Sequence, residues 1–153
     1  MIQFLADWLL IIVVALAAVL FFFGAPKKQK LNRAGIIIMA SLTALLVARA
    51  MSFVPIDEAR PFVEQGLAAG ASYMSNPGFP SDHTLLAFSA AFAVLFMTKF
   101  KKLAWVLFIL AALVGVGRVL ALVHTPLDVF GGLVAAGFGA WWYVIYYREK
   151  LVG

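Results

Sequence analysis

Five long apolar runs, separated by shorter polar stretches, dominate the chain. They occupy residues 4–23, 31–53, 83–98, 103–120 and 126–147. An α-helix rises 1.5 Å per residue, so about 20 apolar residues cross the hydrocarbon core of a bilayer. The third run is the shortest, and Thr84 and Ser89 within it can bond inside their own helix. The first run has no basic start and no small-residue cleavage site ahead of the charges that follow, so it reads as a retained span and not a signal peptide. No internal repeat or low-complexity tract interrupts the series. The pattern predicts an all-α integral membrane protein, a single domain over residues 1–153 built as a compact bundle of about five transmembrane helices.

The one long connection, residues 54–80, carries Pro55, Pro61, Pro77, Pro80 and three glycines, which break long helices. Its middle, residues 60–74, is expected to form a short helix on the membrane surface, with Phe62, Val63, Leu67, Tyr73 and Met74 as apolar contacts.

Composition supports this architecture: 65% of residues are hydrophobic and only 12% charged, against roughly half and a quarter in soluble domains. The absence of cysteine excludes disulfides and thiolate metal sites. The net charge of +5 does not imply nucleic acid, because of where the charges fall. Lys27, Lys28, Lys30, Arg33, Lys99, Lys101, Lys102, Arg148 and Lys150 occupy one set of loops, nine of the twelve basic residues. Excess basic residues mark the cytoplasmic side, so the N-terminus is expected outside and the C-terminus in the cytoplasm. Arg49, Arg60 and Arg118 fall at the opposite end, with Asp7, Asp57, Glu58, Glu64, Asp82 and Asp128.

Three polar clusters share that outer end, and both histidines of the protein lie in them. The first is Glu58-Ala59-Arg60-Pro61-Phe62. The second is Phe79-Pro80-Ser81-Asp82-His83-Thr84. The third joins Gly117-Arg118 to His124-Thr125-Pro126-Leu127-Asp128. In the second, Pro80 stops the preceding segment and Ser81 caps a new helix. A helix N-terminus attracts anions through its unpaired N–H groups and dipole. Ser81 adds a hydroxyl, and Arg60 and Arg118 add guanidinium forks suited to phosphate oxygens. His83, in the first turn, is placed to protonate a leaving oxygen. In the third cluster Pro126 suits the first helical position and Thr125 its cap. Asp128, four residues after His124, can hold one imidazole nitrogen and free the other to attack phosphorus.

These clusters resemble the type 2 phosphatidic acid phosphatase superfamily, which includes bacterial undecaprenyl-diphosphatases and shares its site with vanadium haloperoxidases. The family pattern is lysine, six residues, Arg-Pro; then Pro-Ser-Gly-His; then Ser-Arg, five residues, His, three residues, Asp. Arg60-Pro61, Pro80-Ser81-Asp82-His83, and Arg118, His124 and Asp128 match it, over about residues 60–132. Phe53 stands where the family has lysine, Asp82 replaces the motif glycine, and Gly117 replaces the motif serine. Asp82 resembles the Phe-Pro-Ser-Asp-His of the undecaprenyl-diphosphatase branch. Arg49, one turn before Phe53, is a candidate replacement for the lysine. Five spans stand where the family usually has six.

The resemblance implies a membrane lipid phosphatase of the cell membrane, its site facing outside or the periplasm. His124, His83 and Asp128 would be catalytic, and Arg60, Ser81, Arg118 and Asp82 would bind the phosphate. No cofactor or metal is expected, since two histidines and scattered carboxylates make a poor ligand set. The expected partners are the bilayer and a lipid substrate, with undecaprenyl diphosphate the first candidate. Phosphatidylglycerol phosphate, a lipid A phosphate, phosphatidic acid, or a non-catalytic lipid-binding or transport role remain alternatives, and the oligomeric state is left open. Structural readings compete at several positions. Arg49 reads as a snorkelling anchor, and Asp82 as a charge favouring its helix N-terminus. Trp105, Trp141, Trp142, Tyr143, Tyr146 and Tyr147 read as a cytoplasmic aromatic belt. Gly131, Gly132, Gly137 and Gly139 read as close helix contacts.

Overall fold

The structure, a computed structural model, describes residues 1–54, 59–74 and 78–152, with side chains up to residue 148. Asp57, Glu58, Pro55 and Pro77 lie outside the described residues, as does the side chain of Lys150. Helix α1, Phe4–Gly24, opens with a π-helical turn, Phe4–Trp8. It is followed by α2 (Lys30–Met51), α3 (Pro61–Glu64), α4 (Asp82–Met97), α5 (Lys101–Leu120) and α6 (Pro126–Val152). The chain is an all-helical membrane bundle. Four of these helices are long and apolar enough to cross a bilayer, and α4 is a shorter fifth. The predicted runs and the observed helices coincide to within a few residues over most of their length.

Helix α4 packs against α1, α2, α5 and α6 and so occupies the centre. Its 16 residues span about 24 Å, less than the ~30 Å hydrocarbon thickness. Ala87, Ala91, Val94 and Met97 of α4 are buried among Val13, Leu107, Ala111 and Tyr143. The outer helices turn Ile11, Phe22, Ile38, Leu46, Ile109 and Phe130 outward, as expected where lipid is the solvent. Small residues let α6 approach its neighbours. A Cβ on Gly132 would lie 2.7 Å from the Ser81 carbonyl oxygen, and Gly139 lies hard against the Ala40 carbonyl. Gly131 faces the Phe79 ring. Gly137 departs from this expectation: nothing lies within 4 Å of its Cβ direction.

The polar groups segregate to two ends. At the basic end, Arg33 Nη1 donates to the Met97 carbonyl (2.7 Å), closing the C-terminus of α4, and the Tyr147 hydroxyl donates to the Phe96 carbonyl. The aromatic-belt reading is corrected here. Trp105 and Trp141 are exposed, but Tyr143 and Tyr146 are core residues packed against α2 and α4. The surface-helix expectation for residues 60–74 is corrected too. Only Pro61–Glu64 is helical, because Gly66 takes a left-handed conformation (φ 63°) and ends the turn. Phe62 packs on Ala6, Ala121 and Val123 of the bundle.

Candidate active site

The turn between α5 and α6 sets the position of His124. Leu122 adopts φ 58°, unusual for a branched side chain, and its carbonyl accepts from the Phe62 amide at 3.0 Å. The chain thus reverses, and His124 ends up 5% exposed at the floor of a cavity. Thr125 and Asp128 then cap α6 reciprocally. The Asp128 amide donates to Thr125 Oγ1 (3.2 Å), and the Thr125 amide donates to Asp128 Oδ2 (2.7 Å). That same Oδ2 lies 3.2 Å from His124 Nδ1. With Asp128 as a carboxylate, Nδ1 carries the proton and Nε2 keeps its lone pair. Burial pushes the His124 imidazole below its ordinary value of 6.5, as do the Arg118 and Arg60 cations, while the Asp128 hydrogen bond acts against them. A neutral, oriented imidazole results.

The α4 N-terminus is fixed to the same place. The Ser81 amide donates to the Asp128 carbonyl at 2.9 Å, joining the starts of α4 and α6. The Ser81 side chain is fully buried. Its Oγ accepts from the Thr84 amide (3.5 Å) and lies 3.2 Å from Thr84 Oγ1. It is a cap beneath the site, not a wall of the cavity. Asp82 and His83, the first two residues of α4, do line the cavity. His83 Nε2 sits 3.5 Å from Arg118 Nη1. Asp82 Oδ2 pairs with Arg49 Nη2 at 3.4 Å, which puts Arg49 at the rim and not merely at the lipid interface. Phe53 is 86% exposed and does not line the cavity.

The two arginines differ in their surroundings. Arg60 donates to the carbonyls of Val123 (2.6 Å) and Met74 (3.0 Å), bracing the outer loop over the His124 turn. Burial lowers the pKa of its guanidinium, against the opposing pull of Asp128, and a guanidinium stays cationic in proteins. Arg118 is 1% exposed, and its Nε has no hydrogen-bond partner among the described residues. Its Nη1 donates to Asp7 Oδ1 at 2.8 Å. Arg60, Asp82, His83, Arg118 and His124 thus surround one cavity of about 180 Å³ with Gly78 and Ser72. Among the described residues, no three His, Cys, Asp or Glu side chains converge as a metal site would require.

Asp7 lies outside the three polar clusters of the sequence, yet it reaches the site through Arg118. The sequence carries a signal for it, since Asp7 is the only charged residue in the first apolar run, and an ionisable group in a membrane span is by default a candidate functional residue.

Two cations, two histidines and a carboxylate around one recess suit phosphate chemistry. The pattern of the PAP2 superfamily matches residues 54–151, well over half the chain. The chain belongs to the PAP2 superfamily. Among curated PAP2-type relatives, the undecaprenyl-diphosphatase BcrC of Bacillus subtilis (strain 168) is 35% identical over 103 residues, 67% of this chain and 50% of that protein. The putative undecaprenyl-diphosphatase YbjG of Escherichia coli (strain K12) is 35% identical over 104 residues, 67% of this chain and 51% of that one. The bacitracin transport permease protein BcrC of Bacillus licheniformis is 46% identical over 54 residues, 35% of this chain and 26% of that one. The chain spans about half the length of the first of these. No solved structure matches.

Proposed function

We propose that this membrane protein is a lipid phosphatase acting on undecaprenyl diphosphate through a phosphohistidine. The observation that carries the reading is the contact of His124 Nδ1 with Asp128 Oδ2 (3.2 Å) at the floor of a cavity that His83, Arg60 and Arg118 also line. His124 Nε2 attacks the terminal phosphorus, and the bond to the bridging oxygen breaks. His83 gives its proton to that oxygen, releasing the lipid monophosphate. Water then attacks the phosphohistidine, losing a proton to His83, and phosphate departs from His124. Arg60 and Arg118 balance the charge that builds on the equatorial oxygens. The helix N-terminus capped by Ser81 adds its dipole. No step needs a metal.

The basic loops between spans favour a cell-membrane orientation with the N-terminus and the site outside or periplasmic and the C-terminus cytoplasmic. The names of two relatives support undecaprenyl diphosphate as substrate. The test is phosphate release by the purified protein from a panel of undecaprenyl diphosphate, phosphatidylglycerol phosphate, lipid A phosphate and phosphatidic acid. Preference for the diphosphate supports the reading, and preference for another member reassigns the substrate. A non-catalytic lipid-binding or transport role is favoured by the loss of the family lysine at Phe53 and by the name of the third relative. Absence of release from the whole panel would support that role.

A further inference from the structure

The Asp7 carboxylate joins four parts of the molecule at the edge of the candidate site. Oδ1 accepts from Arg118 Nη1 of α5 (2.8 Å) and from the Ser72 hydroxyl of the outer loop (2.8 Å), and Oδ2 accepts from the Ser72 amide (3.1 Å). His83 Nε2 of α4 lies 3.9 Å from Oδ1. Two backbone features bring Asp7 there. The first is the π-helical turn Phe4–Trp8, in which the Leu9 amide reaches back to the Phe4 carbonyl. Single π turns inside α-helices often mark functional positions. The second is Gly117, where the family motif has serine. A Cβ at Gly117 would lie 2.7 Å from the Ala6 amide nitrogen and from the Leu5 carbonyl carbon. Backbone atoms cannot yield as a flexible side chain would, so the missing side chain lets α1 press against α5 beside Arg118.

Arg118 is enclosed, with Nε unpartnered among the described residues. A buried guanidinium needs a counter-charge to hold one pose. We infer that Asp7 is a positioning residue of the phosphate site: it holds Arg118 in its phosphate-facing pose and tethers the Ser72 segment over the cavity. A glycine in the motif and an acid in the first span are then two halves of one arrangement. The role rests on the phosphatase reading, but it predicts oxyanion binding as well as turnover.

The test is a double-mutant cycle on wild type, Asp7→Asn, Arg118→Lys and the double variant. Orthovanadate affinity is measured by calorimetry and phosphate release in parallel. Asp7→Asn is expected to weaken vanadate binding and kcat/KM about tenfold or more in the wild-type background. In the Arg118→Lys background the loss should shrink to less than about threefold. A purely structural Asp7 would lower the melting temperature and give equal losses in both backgrounds, which overturns the inference, as does unchanged vanadate binding. If Asp7→Asn does not fold, Ser72→Ala is read through the same cycle. It removes one tether of Oδ1 and leaves the charge in place. A loss that disappears with Arg118→Lys supports the role, and no loss overturns it. Wild-type protein that binds vanadate but releases no phosphate removes the phosphatase reading, while the vanadate arm still decides the role of Asp7.

Discussion

Asp128 Oδ2 contacts His124 Nδ1 at 3.2 Å and accepts from the Thr125 amide at 2.7 Å, so one carboxylate oxygen both starts α6 and orients the imidazole. Asp128→Asn separates these duties. The amide oxygen can still cap the helix, but it no longer balances an imidazolium or fixes the tautomer. Turnover should fall by roughly 10²–10⁴-fold, with a melting temperature within a few degrees of wild type. A variant that loses both together would make Asp128 chiefly structural.

His124 should be neutral near pH 7. Its burial favours the uncharged form, so its pKa lies below 6.5, and Asp128 only partly opposes the shift. The attacking nitrogen is therefore available above that lowered value and is lost as pH falls through it. The protein has two histidines, so His83→Ala leaves one imidazole to follow by NMR. A midpoint below 6.5 is expected, and a midpoint at or above 6.5 contradicts the proposed electrostatics.

His83→Ala should discriminate between leaving groups. A general acid contributes roughly 10²–10⁴-fold where the departing oxygen needs a proton. The loss should therefore be large with a lipid monophosphate such as phosphatidic acid, whose leaving group is an alcohol, and small with p-nitrophenyl phosphate. Equal losses on both would remove His83 from the protonation step.

Glycines 132 and 137 make a paired test of packing. A methyl on Gly132 meets backbone atoms, the Ser81 carbonyl at 2.7 Å and the Leu85 amide at 3.0 Å. Gly132→Ala should destabilise by about 1–3 kcal/mol and, by parting α4 from α6, disturb the Ser81–Asp128 backbone bond and activity. Gly137 faces open space. Gly137→Ala should be neutral or raise stability by about 0.5–1 kcal/mol through helix propensity. Thermal unfolding in one detergent compares the two directly.

The rim tests the missing lysine. Arg49 pairs with Asp82 at 3.4 Å with half its side chain exposed. An exposed pair contributes about 0.2–1 kcal/mol, so Arg49→Ala should raise KM by no more than about fivefold. Phe53→Lys should leave KM unchanged, because residue 53 does not line the cavity. A lower KM in Phe53→Lys would show that the site can still use a cation there.

Much of this was legible from the order of residues. The spans follow from apolar run length, and the starts of α4 and α6 from Pro-Ser and Thr-Pro caps. The gathering of His83, Arg118 and His124 follows from their common depth at the outer end. Local signals could not reach the rest. Asp7 and Arg118 are 111 residues apart, and nothing beside either names the other. Tyr143 and Tyr146 resemble interfacial residues by type, yet tertiary packing against Ala40, Ala93 and Met97 buries them. Ser81 fits a phosphate ligand and a cap equally well in sequence. Its hydroxyl lies 3.2 Å from Thr84 Oγ1, and the residue does not line the cavity.

The central claim is that His124 is the nucleophile of a lipid phosphatase. Phosphate release from undecaprenyl diphosphate, measured side by side for wild type and His124→Ala in the same detergent micelles, tests it most directly. The account predicts steady release by wild type and a loss of roughly 10³-fold or more in the variant, with both proteins folded by thermal unfolding. Release by His124→Ala at a rate within tenfold of wild type would contradict it.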